Sequence, residues 1–147
     1  MIRLTLSEIA DRLAGSLHPG GTDATPDTVV DGAVETDSRE IVPGGVFVAK
    51  RGDDTDGHLF VGAAVERGAA LAIVEHPVEE TIAQIVVADA VSALGELARF
   101  VVERVRDAGD LTVIGITGSN GKTTTKNMLA TILAAEGETV APIRSFN

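Results

Sequence analysis

The chain has 147 residues and a net charge of −10, with no Cys, Trp or Tyr and four Phe. Zero cysteine removes any disulfide framework, and no apolar run approaches the roughly 18 to 20 residues of a membrane span. The charge is uneven, since residues 1–110 hold 20 of the 22 acidic and 9 of the 12 basic residues; a general nucleic-acid face is disfavoured, as is extended base stacking.

The opening Met1-Ile2-Arg3-Leu4-Thr5-Leu6-Ser7-Glu8 lacks the basic-then-apolar pattern of a signal peptide. Together with the composition this predicts a cytoplasmic protein. Thr5-Leu6-Ser7-Glu8 is a capping-box pattern, and Leu6, Ile9, Ala10 and Leu13 follow at helical spacing until Gly15. The polar stretch His18 to Thr28 reads as a loop, followed by a strand over 29–35. Pro43-Gly44-Gly45 turns the chain into a second strand over 46–49. Arg51 to His58 is a polar loop, and 59–67 an amphipathic helix ended by Gly68. Apolar strands are predicted over 69–75 and 82–88, separated by His76-Pro77. Asp89 caps a long helix running to about Arg106, with Leu94, Leu97, Ala98, Val101, Val102 and Val105 as its apolar stripe. Gly109-Asp110 closes that helix and marks the expected boundary between a domain over 1–110 and the start of another over 111–147.

The β-branched run Leu111 to Ile116 predicts a buried parallel strand, and Thr123 to Ala135 a helix. Between them lies Gly115-Ile116-Thr117-Gly118-Ser119-Asn120-Gly121-Lys122-Thr123-Thr124-Thr125. Glycines let backbone N–H groups close around phosphate oxygens, and a helix N-terminus adds unpaired donors and the positive end of its dipole. Lys122 is placed for the β/γ-phosphates of a nucleotide, Thr123 for Mg²⁺, and Gly118, Ser119, Asn120, Gly121 and Thr124 for the phosphate cradle. The general phosphate-loop pattern asks for glycine at position 116, where this chain has isoleucine, so the match is a variant. Only 24 residues follow Thr123, enough for one helix and one short strand, and 111–147 is expected to be the incomplete opening βαβ of a second, nucleotide-binding domain.

Two constellations in the first 110 residues can carry chemistry. In Thr36-Asp37-Ser38-Arg39 a hydroxyl and a guanidinium sit in a turn after a strand, where Arg39 can make a forked bond to a phosphate or carboxylate. On its own, a capping turn with a solvated arginine explains the segment better. Lys50-Arg51-Gly52, followed by Asp53-Asp54-Thr55-Asp56-Gly57-His58, puts cations at a strand end and a carboxylate, glycine and imidazole at a helix start. Spacing leaves this reading level with a plain N-cap at Asp56 and a surface histidine at 58.

Taken together, Thr36-Asp37-Ser38-Arg39, Gly45-Val46-Phe47-Val48-Ala49, Asp56-Gly57-His58 with Phe60, Ala63 and Gly68-Ala69, and Thr117-Gly118-Ser119-Asn120-Gly121-Lys122-Thr123 resemble the Mur ligase family. These are ATP-dependent enzymes that add amino acids to the UDP-N-acetylmuramoyl peptide precursor of bacterial peptidoglycan. The family's loop, T-G-x-x-G-K-T, needs no glycine at 116. The resemblance implies an α/β fold: a UDP-substrate-binding domain, then the first β-P-loop-α-β unit of a P-loop ATPase domain. It implies Ser38, Arg39, Asp56, Gly57 and His58 at the UDP substrate, and Lys122 as the catalytic lysine with ATP and Mg²⁺. The opening Leu4 to Ala10, Lys126 and the ending Ser145-Phe146-Asn147 look most like members that join D-alanyl-D-alanine to UDP-N-acetylmuramoyl-tripeptide through an acyl phosphate. Members adding the third residue, meso-diaminopimelate or lysine, share the Asp-Ser-Arg and Asp-Gly-His motifs and are the alternative. The family's further metal-binding glutamate, carbamylated lysine, adenine pocket and D-alanyl-D-alanine site would lie beyond Asn147. The chain alone is therefore expected to lack ligase activity, leaving a UDP-substrate-binding module as a further alternative.

Overall fold

In the computed structural model, residues 2–52, 55–109 and 111–142 are described, and the chain divides into two units, Met1–Asp110 and Leu111–Asn147. The first unit begins with β1 (Leu4–Thr5), α1 (Leu6–Arg12), β2 (Ser16–His18), β3 (Val29–Val30), β4 (Val34–Glu35) and β5 (Val46–Val48). It continues with α2 (Val61–Glu66), β6 (Leu71–Val74), β7 (Ala83–Val86) and α3 (Ala90–Ala108). Two short 3-10 turns, Ser38–Glu40 and Gly57–Phe60, follow β4 and precede α2.

The main sheet has the order β2-β7-β6-β5-β4, with β4 to β7 parallel and β2 antiparallel on β7. Register is set by pairs such as Val46 with Leu71 and Ile73 with Ile85. Successive side chains point to opposite faces. Val46, Val48, Leu71, Ile73, Ala83 and Ile85 therefore face one core with Leu6 and Ile9 of α1 and Ala90, Ala93 and Leu97 of α3. Phe47, Ala49, Ala72 and Val74 face a second core with Val61 and Ala64 of α2. Both faces are covered, which is why these strands read as continuous apolar runs instead of alternating ones.

The capping box forms as the sequence predicts: Glu8 N donates to Thr5 Oγ1 at 3.2 Å and Thr5 N to Glu8 Oε2 at 2.9 Å. Arg12 and Arg104 then tie α1 to α3, through Arg12 to Glu103 at 2.8 Å and Arg104 to Glu8 at 2.7 Å. Their guanidiniums also lie 5.4 and 5.5 Å from the Phe100 ring centre, a cation–π arrangement that adds to the ion pairs. Only the first half of the α3 stripe is deeply used. Ala90, Ala93 and Leu97 are buried, whereas Val102 and Val105 are exposed.

Three expectations for this unit need correction. The strand over 29–35 is two strands, because β3 pairs with β1 in a small separate sheet while β4 pairs with β5. The strand β2 was not expected: only its last residue, His18, falls in the loop read over His18 to Thr28, and three residues are too few to show a periodicity. The helix over 59–67 starts as a 3-10 turn capped by Asp56 and becomes α-helical only at Val61.

In the second unit, α4 spans Lys122–Leu133, close to the expected helix. The expected strand over 111–116 is not formed, and among the described residues no strand occurs in 111–142. A strand is defined by the neighbour it bonds to, and this unit supplies none. Val113 and Ile114 are exposed, and α4 has no buried residue. The expected ending Ser145-Phe146-Asn147 lies outside the described residues, as do Asp53, Asp54 and Asp110.

The caps give the first unit an acid dependence. Hydrogen bonds from Thr5 hold the Glu8 carboxyl below its ordinary pKa, and those from Ser92 do the same at Asp89. A depressed folded pKa contributes stability that is present above the unfolded value and lost as pH falls through the folded one. Urea midpoints of the chain are expected to hold from pH 7 to about 5 and to drop below about pH 4, where carboxylates ordinarily titrate. Glu8→Gln and Asp89→Asn should start lower at pH 7 and show a flatter acid limb; a limb as steep as in the parent would contradict the assignment.

Candidate functional site

Because β4 to β7 are parallel, the segments leaving them emerge at one edge of the sheet: Thr36 to Arg39, Ala49 to Arg51, Glu75-His76 and Val87 to Asp89. Open α/β sheets bind ligands at this carboxyl edge. The two motifs singled out from sequence lie on it, after adjacent strands, and α2 packs against both 3-10 turns.

Asp37 caps the first turn, accepting from Arg39 N at 3.0 Å. The same carboxylate takes the Arg39 guanidinium in a fork, Nε to Oδ1 at 2.9 Å and Nη2 to Oδ2 at 2.7 Å. Those bonds raise the Arg39 pKa above its ordinary value. Its side chain remains 85 % exposed, so the fork faces solvent with its inner edge already occupied. Ser38 is buried at the start of the turn, and Arg67 at the end of α2 donates to the Arg39 carbonyl at 2.6 Å.

The second motif is a closed network. Asp56 Oδ1 accepts from His58 N at 2.9 Å and contacts His58 Nδ1 at 2.6 Å. His58 Nε2 accepts the backbone N–H of Glu75 at 2.8 Å, so the ring hydrogen sits on Nδ1 and is donated to Asp56. The bonds from the His58 amide and ring, with Arg51 nearby, hold the Asp56 carboxyl below its usual range. Arg51 lies 3.2 Å from Glu75 and 3.6 Å from Asp56, and Glu75 accepts from the first amide of α3, Ala90 N, at 3.1 Å. The His58 side chain is only 4 % exposed, which replaces the surface-histidine alternative with a buried, fully bonded ring.

Gly57 is where this network meets the sheet. Its N–H donates to Lys50 O at 2.9 Å, and a Cβ built there would stand 2.5 Å from that oxygen. Glu75 and His76 were missed from sequence, where His76-Pro77 served only as a separator. The position just after a buried parallel strand was the available signal.

The second unit offers a different chemistry. Gly121, at φ +79°, is the N-cap of α4 and leaves the first turn without a side-chain cap or an acidic residue. Ser119, Asn120, Gly121, Lys122, Thr123 and Thr124 line a cavity of about 250 Å³. Lys122 Nζ donates to Gly118 O at 2.7 Å, which spans the loop, and Lys126 Nζ donates to the Pro142 carbonyl. Amide donors, a dipole end and a lysine around a small polar hollow fit a polyphosphate. Thr123 is at the first turn, where its hydroxyl can join a cation held by that polyphosphate; no group of three or more His, Cys, Asp or Glu suited to a metal occurs among the described residues.

A parallel α/β unit followed by such a loop is matched by two family models, Mur ligase family, catalytic domain, over residues 32–107 and Mur ligase middle domain over residues 116–146. The chain belongs to the Mur ligase family. It is similar to the UDP-N-acetylmuramoyl-tripeptide--D-alanyl-D-alanine ligase of Escherichia coli, 39% identical over 147 residues that take in 100% of this chain and 30% of that protein. The counterpart from Mycobacterium tuberculosis is 39% identical over 166 residues, 100% of this chain and 32% of that protein. A MurF crystal structure from Acinetobacter baumannii matches with a TM-score of 0.72 and 40% identity over 90% of this chain and 28% of that one. The chain thus spans about a third of the length of the curated relatives it matches.

The close approach at Gly57 is testable. Gly57→Ala forces the Asp56–His58 turn off the end of β5 and is expected to destabilise the first unit by about 1–3 kcal/mol, in the range of overpacking. Denaturant melts read this directly, and an unchanged midpoint would show that the turn yields freely.

Proposed function

We propose that this chain is the nucleotide-handling part of an ATP-dependent ligase that joins D-alanyl-D-alanine to UDP-N-acetylmuramoyl-tripeptide in peptidoglycan precursor synthesis. The observation that carries this reading is likeness over 100% of the chain to ligases of that name from several bacteria. The site geometry supports it, because the two units offer two anion-handling surfaces of different kinds.

In this reading the carboxyl edge of the first unit takes the UDP substrate, with Ser38 and Arg39 toward the diphosphate and Asp56, Gly57 and His58 forming the wall of the same cleft. The loop of the second unit takes ATP. Backbone amides from Ser119 to Thr124 hold phosphate oxygens, Lys122 neutralises charge on them, and Thr123 offers its hydroxyl to Mg²⁺. When bound, ATP supplies the phosphoryl group that activates the tripeptide carboxyl for attack by an amine. A structure described as MurF ligase from Thermotoga maritima in complex with ADP, 35% identical with a TM-score of 0.56, supports an adenine nucleotide as a ligand in this reading.

A second reading has an observation of its own. The UDP-N-acetylmuramoyl-L-alanyl-D-glutamate--2,6-diaminopimelate ligase of Chlorobaculum tepidum is 45% identical over 107 residues, though these cover 71% of this chain. The two readings differ in acceptor and amine, so the full-length protein should be assayed with both substrate pairs. Turnover is expected with UDP-N-acetylmuramoyl-tripeptide and D-alanyl-D-alanine; turnover confined to the dipeptide precursor and diaminopimelate would favour the second reading. Lys122→Ala is expected to lower ligation by about 10²- to 10³-fold, the scale of losing one preorganised charge stabiliser, while affinity for the UDP substrate stays within about twofold. Turnover within tenfold of the parent would remove Lys122 from the catalytic role.

A further inference from the structure

The Asp56 to His58 network leaves one chemical feature unexplained. His58 has both ring nitrogens committed inside the network, to Asp56 and to the Glu75 amide, so its imidazole has no polar atom left for a ligand. What it offers is a fixed surface. The ring of His76 is stacked on it, with centroids 4.1 Å apart and planes 17° from parallel. His76 is exposed, so the pair presents an open aromatic surface toward the carboxyl edge.

The backbone around His76 is held from both sides. Glu75 before it directly follows β6 and gives its N–H to His58. Val78 beyond it is gripped by the buried Gln84, whose Oε1 accepts from Val78 N at 2.9 Å and whose Nε2 donates to Val78 O at 2.8 Å. A ring anchored this way loses little freedom when a flat ligand lies on it.

Aromatic surface is scarce in this chain, which has no Trp or Tyr and four Phe. Phe47 is buried, Phe100 lies between Arg12 and Arg104, and Phe146 is outside the described residues. Phe60 is exposed, but no stacking partner among the described residues fixes its ring. We propose that His76, seated on the buried His58 ring, is the stacking platform for the heteroaromatic base of the nucleotide ligand, and that His58 is the positioning residue beneath it. The inference rests on the reading of the carboxyl edge as the nucleotide-substrate site and adds the residue that recognises the base.

The probe is UDP, titrated calorimetrically into the full-length protein and into its His76→Ala and His76→Phe variants. Loss of a base stack on alanine substitution should weaken UDP binding by about tenfold or more, and phenylalanine should restore it to within about threefold. In NMR spectra the uracil H5 and H6 resonances should move upfield on binding to the parent and to His76→Phe, and much less with His76→Ala, a ring-current signature that a purely structural role would not produce. UDP binding by His76→Ala within twofold of the parent overturns the platform while leaving the nucleotide-site reading intact. A loss that phenylalanine does not rescue overturns stacking as the mode of contact. A parent protein that does not bind UDP overturns both readings together.

Discussion

The parallel pairing of β5 between β4 and β6 is the constraint on which the first unit depends. Val46–Val48 is three residues long and buried on both faces: all three pair with β6, Val46 and Phe47 pair with β4 as well, and the side chains alternate between the two cores. Shifting its register by one residue would exchange Phe47 for Val46 or Val48 between cores of different shape. With that register set, the ends of β4, β5 and β6 fall side by side, and residues far apart in sequence are delivered to one edge. Arg51 reaches Glu75, and His58 meets the Glu75 amide, because the strands before them are neighbours.

Most of the charge at this edge is already satisfied internally. Arg39 is forked to Asp37 and Arg51 is shared by Asp56 and Glu75. Such pairs add little to stability where they are exposed, but they restrict the rotamers of long side chains that would otherwise be disordered. An anionic ligand meeting this edge therefore finds guanidiniums already oriented. It must also compete with the carboxylates that orient them, which favours a ligand able to make forked contacts over a single inorganic ion.

Local rules were legible where the signal is local. The Thr5–Glu8 capping box, the Asp89 cap and the apolar runs of β5, β6 and β7 follow from residue types and spacing alone, and so does α4. The Asp56 and His58 alternatives were level on spacing because the deciding partner, the Glu75 amide, is 17 residues away from His58 and meets it only through strand order. The division of 29–35 between two sheets was hidden for the same reason: pairing partners are not encoded in a strand's own pattern. The strand expected over 111–116 has the right composition, but composition expresses a preference for a pleated, half-buried surface. Without a neighbouring strand in its unit, Val113 and Ile114 remain exposed.

The two units solve one electrostatic problem by different means. A chain of net charge −10 repels polyanions at long range, yet both proposed ligands carry phosphates. At the loop of the second unit the answer is backbone amides and a helix dipole, which bring no side-chain acid with them; the first turn of α4 has none. At the carboxyl edge the answer is a short list of oriented guanidiniums together with aromatic and apolar surface, which is indifferent to charge. Salt screening acts mainly on exposed charges separated by more than a Debye length of about 8–10 Å. Raising ionic strength should thus relieve the general repulsion while sparing the amide contacts of the loop, so selectivity for phosphates rests on geometry at each site and not on the charge of the protein as a whole.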